Sequence, residues 1–167
     1  MTRWGKCDFK QLERLKKNID KLQQVDFEKF CQEVAKELAA RLLAKVIKRT
    51  PVGQYEDGQI GGTLRRGWTA RTEQEAAATA VFGGGSSVKA YVDSLVIKQT
   101  GNVFEIEIIN SVFYASYVEF GHRTANHEGW VEGRFMLTIS ESELDAQAPK
   151  IIEARLMKLL GASFDVT

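Results

Sequence analysis

His122 and His127, flanked by Glu119 and Glu128, are the residues of this chain best suited to bind a metal. Two imidazoles and two carboxylates could hold zinc or manganese and activate water for hydrolysis. Their spacing argues against that use. Helical zinc sites read H-E-x-x-H, which sets both imidazoles on one face with the acid between them. Here the histidines lie in "GHRTANHEG", a stretch with a glycine at each end, and no third strong ligand is forced nearby. Two solvated loop histidines are the simpler expectation, and a metal-dependent hydrolase built on this loop is the alternative. Nucleophiles carry no stronger signal. Ser111, Ser116 and Ser140 lack the G-x-S-x-G elbow. Cys7 and Cys31 have no activating partner in view and read as reduced packing thiols. A triad can be assembled in space, but nothing here points to one.

Phosphate chemistry has no intact motif either. "GGGSSVK", from Gly83 to Lys89, departs from the P-loop pattern, because Val88 precedes Lys89 and Ala90 follows it. Gly83, Gly84 and Gly85 are instead expected to form a mobile loop that orders when a partner arrives. Lys48, Arg49, Arg65 and Arg66 could gather into a basic patch that touches DNA phosphates without reading sequence. The whole chain carries 23 basic and 22 acidic residues, which favours ordinary helix-end cations and a solvated strand face. Trp68, Trp130, Tyr114 and Tyr117 suit either a core or an interface. No cofactor is expected.

The elements that must position these residues follow from periodicity. The 167 residues suffice for one domain with a real core. The first twenty residues have no apolar h-region, so no signal peptide is expected, and no run approaches a membrane span. Phe9, Leu12, Leu15, Ile19 and Leu22 predict an amphipathic helix over 8–22. Asp26 is the expected cap of a longer helix whose apolar line is Phe27, Phe30, Cys31, Val34, Leu38, Leu42, Val46 and Ile47. Its acids come early and its bases late, as the helix dipole favours, and Thr50-Pro51 ends it. "PVGQYEDGQIGG" is a loop. "TLRRGWTA" alternates and predicts a strand with Leu64, Arg66 and Trp68 on one face. Residues 71–80 leave helix and loop both open. "YVDSLVIKQ" and "VFEIEII" predict a hairpin about Thr100-Gly101-Asn102, with Phe104, Ile106 and Ile108 facing in. "SVFYASYVEF" predicts a short helix stopped by Gly121. Residues 122–133 are a loop, a helix starts from Arg134, and Pro149 opens a last helix.

The fold class is therefore α+β: a small antiparallel sheet packed on a long N-terminal helix, with C-terminal helices. One domain spans 1–167, with an N-terminal helical extension (8–22) and a core (26–162).

The order of "ELAARLLAKVIKRTPVG", "GTLRRGWT", "IINSVFYASYVEFGHRT" and "GRFMLTISESEL" resembles the head–tail joining proteins of long-tailed phages and prophages, also called neck or tail-completion proteins. The resemblance spans roughly residues 30–160, and "YASYVEFG" is its most specific string. It implies a structural virion protein without catalysis. It further implies a ring, commonly a hexamer, between the head connector or stopper and the tail tube, with DNA passing through the lumen. The expected location is the virion neck, and the host cytoplasm during assembly. The residues carrying a structural or interface role are then Arg65, Arg66, Trp68, Gly83, Gly84, Gly85, Tyr114, Tyr117, Glu119, Phe120, Gly121 and Arg134. Tyr114, Tyr117, Val118 and Phe120 are expected to pack on the sheet. Glu119 is expected to be a structural or inter-subunit ion-pair partner. Relatives often have a proline-bearing "R-P-F-L" link where this chain has "GRFML".

Two glycine-rich loops, 52–62 and 82–90, are expected to contact neighbouring subunits or the connector. Ordering them costs roughly 1–2 kcal/mol per residue fixed, which partner contacts must offset. Deleting residues 83–87 should leave folding intact and impair head–tail joining. Wild-type joining by the deletion would remove this loop from the assembly surface.

Overall fold

The computed structural model describes residues 27–54, 56, 58, 60–84 and 87–163, together with helical positions 13, 16, 17 and 20. The expected helix over 8–22 and its apolar residues otherwise lie outside the described residues, as do Cys7, Asp26 and Gly85. The fold is α+β. In chain order come α1 (Phe27–Arg49), α2 (Thr63–Gly67), α3 (Glu73–Phe82), α4 (Val88–Ser94), β1 (Lys98–Thr100), β2 (Val103–Glu105), α5 (Ala115–Phe120), β3 (Gly121–Arg123), β4 (Trp130–Glu132) and α6 (Met136–Ser163). The expected small sheet is two separate antiparallel hairpins, β1–β2 and β3–β4.

α1 is the spine. It packs against α6 and also against α4 and β2. Its buried stripe is therefore Val34, Ala39, Leu43 and Val46, rotated from the line read by periodicity, and Phe27 is exposed. Cys31 is a half-buried free thiol on this helix. α1 ends in a buried junction. Thr50 Oγ1 donates to Val46 O (2.8 Å) and accepts from the Trp68 indole N–H (2.8 Å). The Thr50 carbonyl accepts both Nε and Nη2 of Arg65, at 3.1 and 2.7 Å. Pro51 cannot continue the ladder, so side chains from α2 and the turn after it satisfy the helix end.

Those bonds explain why "TLRRGW" is a helix rather than the expected strand. A strand would put Arg66 on the same face as Leu64 and Trp68. The helical turn buries Leu64 and Trp68, four apart, and leaves Arg66 exposed. Gly62 starts it at φ 111°, a left-handed value cheap only for glycine. Gly67 lies so close to Asn110 that a Cβ would meet Asn110 Oδ1 at 2.1 Å.

The segment left open at 71–80 is α3. Thr72 Oγ1 accepts the Glu75 N–H (3.2 Å), and the Glu75 carboxylate accepts the Arg71 N–H (2.9 Å). Only Ala76 is buried, where α3 closes on α2, so the helix shows little apolar periodicity. The first four residues of "YVDSLVIKQ" end α4, which is capped by Ser87, and only its last two are strand. The β2 segment keeps the expected alternation: Phe104, Ile106 and Ile108 are half-buried, and Glu105 and Glu107 are exposed. Its ladder stops at Glu105.

α6 runs unbroken through Pro149 where two helices were expected. Pro149 is exposed on α6, and ion pairs hold both halves of the helix to α1. Glu143 binds Lys45 Nζ (2.8 Å) and Arg49, and Arg49 also donates to Ser140 Oγ (3.1 Å). Arg155 Nε reaches Glu37 at 2.5 Å, and Arg41 joins that carboxylate at 2.7 Å.

The hydrogen bonds from Arg41 and Arg155 hold the Glu37 carboxyl below its usual value of 4.5, and those from Lys45 and Arg49 do the same for Glu143. The unfolded chain therefore binds these protons first as pH falls. Their stabilisation is complete at neutral pH and is lost as acidification passes 4.5 toward the folded values. Glu37→Gln should cost no more than about 1 kcal/mol at pH 7 and flatten the fall of Tm with acid, read by circular dichroism melts. An unchanged pH slope would show that the Glu37 half of the α1–α6 clasp contributes nothing.

Candidate assembly surface

The segment from Val112 to Met136 forms one tightly tied unit. α5 and β3 are continuous in sequence, and Gly121 makes the corner at φ 86° while its N–H caps Tyr117 O. The loop expected over 122–133 is a hairpin. Gly121 pairs with Glu132, His122 with Val131, and Arg123 with Trp130. Thr124 closes the turn, accepting Gly129 N–H (2.9 Å) and donating its own N–H to Gly129 O (3.1 Å). Backbones press together here: a Cβ on Gly121 would meet Val131 O at 2.4 Å, and one on Gly133 would meet Glu119 O at 2.3 Å.

Glu119 fixes this unit to α6. It is buried, and its carboxylate accepts Leu137 N–H (3.0 Å), Thr138 N–H (2.9 Å) and Thr138 Oγ1–H (2.8 Å). Arg134 and Phe135 donate their N–H groups to Val118 O and Glu119 O. "GRFML" has no Ser, Thr, Asp or Asn at its start to cap the helix. A carboxylate from another element supplies that cap, and the positive end of the helix dipole favours it. The structural role expected of Glu119 is thus a cap within the chain rather than an ion pair. The same three bonds remove Glu119 from any metal site. His122 Nδ1 lies 3.4 Å from Tyr117 O with its ring against Tyr117, and His127 sits in the turn at φ 58°.

The side chains around this fixed point face outward. Tyr117 (55% exposed) and Phe120 (61%) are three apart on α5, and Phe113 (74%) is exposed in the turn that leads into it. Trp130 is 57% exposed, and its ring edge lies beside Gly121. Val131 and Phe135 are exposed as well. The expectation that Tyr117 and Phe120 pack on the sheet is therefore corrected. Tyr114 and Val118, half-buried, make the inward contacts, and Phe113 stacks edge-on against Tyr114 at 5.3 Å.

The remaining expected residues separate cleanly. Trp68 is core, and Arg65 is held by the Thr50 carbonyl. Arg49 is engaged with Glu143 and Ser140, so only Lys48 and Arg66 of the expected basic patch are exposed. Arg134 is exposed and lines a cleft with Val52, Ile60, Tyr114 and Val118. Gly83 and Gly84 stand in open space at φ 73° and 90°, next to an 87% exposed Phe82. Sequence reasoning missed Phe82 and Phe113, for which the signal was an aromatic directly before a glycine run and before "YASY".

Residues 13–121 match the family model described as "Bacteriophage HK97-gp10, putative tail-component". The chain belongs to the HK97-gp10-like family. The match takes in α1 through α5 and ends at the Gly121 corner. Membership makes this a phage structural protein of the tail-component class; Tyr117 and Phe120 stand on the last matched element, and Trp130 lies beyond the match. No curated protein and no solved structure matches the chain. Among the described residues, no helix is long and apolar enough to cross a membrane.

Glu119→Ala would leave two N–H groups of the α6 first turn without an acceptor. It should cost about 2–3 kcal/mol in urea unfolding, and Glu119→Gln, which keeps one acceptor oxygen, should cost less. Equal, near-zero losses for both would show that the carboxylate is not a cap.

Proposed function

We propose that the protein joins head to tail, as a non-enzymatic ring at the virion neck. Copies associate with one another, and the ring's two ends meet the head connector or stopper and the tail tube. The family resemblance sets six as the expected copy number and gives the ring a lumen for DNA. One observation carries the reading. Phe113, Tyr117, Phe120 and Trp130 are each exposed on one tightly hydrogen-bonded unit. A lone exposed apolar side chain needs no explanation, but a cluster of large aromatics on a fixed frame is what an interface core requires. Phe82 beside the Gly83–Gly84 turn fits the same reading, since a glycine turn can present an aromatic to a neighbour.

Solution mass by light scattering across a concentration series, with and without purified tail tubes, tests the reading. The expected result is a closed oligomer at high concentration or on the tubes. Phe120→Ser should change folding stability by less than about 0.5 kcal/mol because the side chain is exposed. It should weaken assembly at least about tenfold, as loss of an aromatic anchor does. A folded Phe120→Ser variant that assembles like wild type would take this surface out of the interface.

A further inference from the structure

The β1–β2 hairpin opens where its strands should continue. Lys98 and Glu105 form its last pair. Beyond them the chains diverge around a cleft of about 360 Å³ lined by Tyr91, Leu95, Val96 and Ile109. Residues 106–110 nevertheless keep the in–out alternation of a strand. Among the described residues, their backbone N–H and C=O groups make no backbone hydrogen bond. The hairpin turn is two residues, Gly101-Asn102, so Thr100 and Val103 are a hydrogen-bonded pair. Alternation then aims the backbone groups of Phe104, Ile106 and Ile108 away from β1, along an unfilled edge.

Among the described residues, a second edge without a partner strand lies on β3. Thr124 N–H bonds Gly129 O, so His122 and Val131 are the next hydrogen-bonded pair. Gly121 and Arg123 therefore point their backbone groups away from β4. The Gly121 N–H is spent on Tyr117 O. Three groups are left on this edge: Gly121 C=O, Arg123 N–H and Arg123 C=O.

We propose that these two edges pair between neighbouring copies, with β3 of one copy lying parallel to residues 104–108 of the next. This deepens the ring reading above and rests on it. In a parallel ladder each residue bonds the two that flank its partner. With Arg123 set against Glu107, Arg123 N–H meets Ile106 O, Arg123 C=O meets Ile108 N–H, and Gly121 C=O meets Ile106 N–H. All three free groups of β3 are used. The same register puts the exposed Arg123 side chain next to Glu107, and Gly121 next to Glu105, where a larger residue would crowd it. Glu107 is available for exchange: its present partner Lys98 is 3.5 Å away, and both are 64% exposed. Two-fold antiparallel pairing of the 104–108 edge with itself, centred on Glu107, would oppose two Glu107 side chains, which is unfavourable. A heterologous contact between unlike edges is also what closes a ring.

The test is a charge exchange combined with amide hydrogen exchange on the full chain. Glu107→Arg and Arg123→Glu should each lower the assembly constant at least tenfold, and the double variant should recover most of it. Amides of Ile106 and Ile108 should exchange rapidly in the free chain and at least a hundredfold more slowly in the assembled one. Single variants that assemble like wild type, or amides that stay unprotected in a formed oligomer, would overturn this pairing and leave the ring intact. A wild-type chain that never self-associates, even on tail tubes, would overturn both.

Discussion

The carboxylate of Glu119 at the start of α6 is the contact on which the outward surface depends. A helix beginning at Met136 exposes N–H groups that its own sequence does not cap. Glu119 reaches them from α5, and in doing so fixes the Gly121 corner, the β3–β4 hairpin and the residues leading into α6 as one piece. The charge is buried at low cost because three donors and a helix dipole compensate it. Aromatic residues on this frame can stay exposed without letting the frame relax around them.

A second junction, at Thr50, does the same for the interior. One residue's hydroxyl and carbonyl collect Val46, Trp68 and Arg65, so the end of α1, the α2 turn and the core tryptophan share a single fixed point. The long pairing of α1 with α6 then closes the molecule through Glu37 and Glu143. The two junctions divide the labour: Thr50 holds the core in place, and Glu119 presents the surface.

Much of this was legible in the sequence, and the losses have physical causes. The long helix, its Thr-Pro stop, the Gly121 corner and the inward Phe104, Ile106 and Ile108 follow from periodicity and turn chemistry. "TLRRGW" misled because residues at i and i+4 share a face in both a strand and a helix, and only the buried Gly67 and Trp68 contacts decide between them. The two C-terminal helices proved to be one because Pro149 faces solvent, a fact of packing rather than of pattern. The β3–β4 hairpin was hidden by its three-residue strands, too short for any alternation to register. Glu119 looked like a possible ligand because an acid in an apolar string carries no sign of which donors it will meet. The exposure of Tyr117 and Phe120 was invisible for the same reason, since an aromatic suits a core and a contact surface equally.

The α1–α6 clasp also bears on how the chain is made. Arg155 follows Glu37 by 118 positions. A ribosome therefore exposes the apolar stripe of α1 long before the helix that covers it exists. During that interval Val34, Ala39 and Leu43 lack one of their walls, and newly made chains crowded on one messenger present the same sticky helix to each other. The charges along α1 that later become the clasp, Glu37, Arg41, Lys45 and Arg49, are already in place on the nascent helix and keep its uncovered side wetted until α6 arrives.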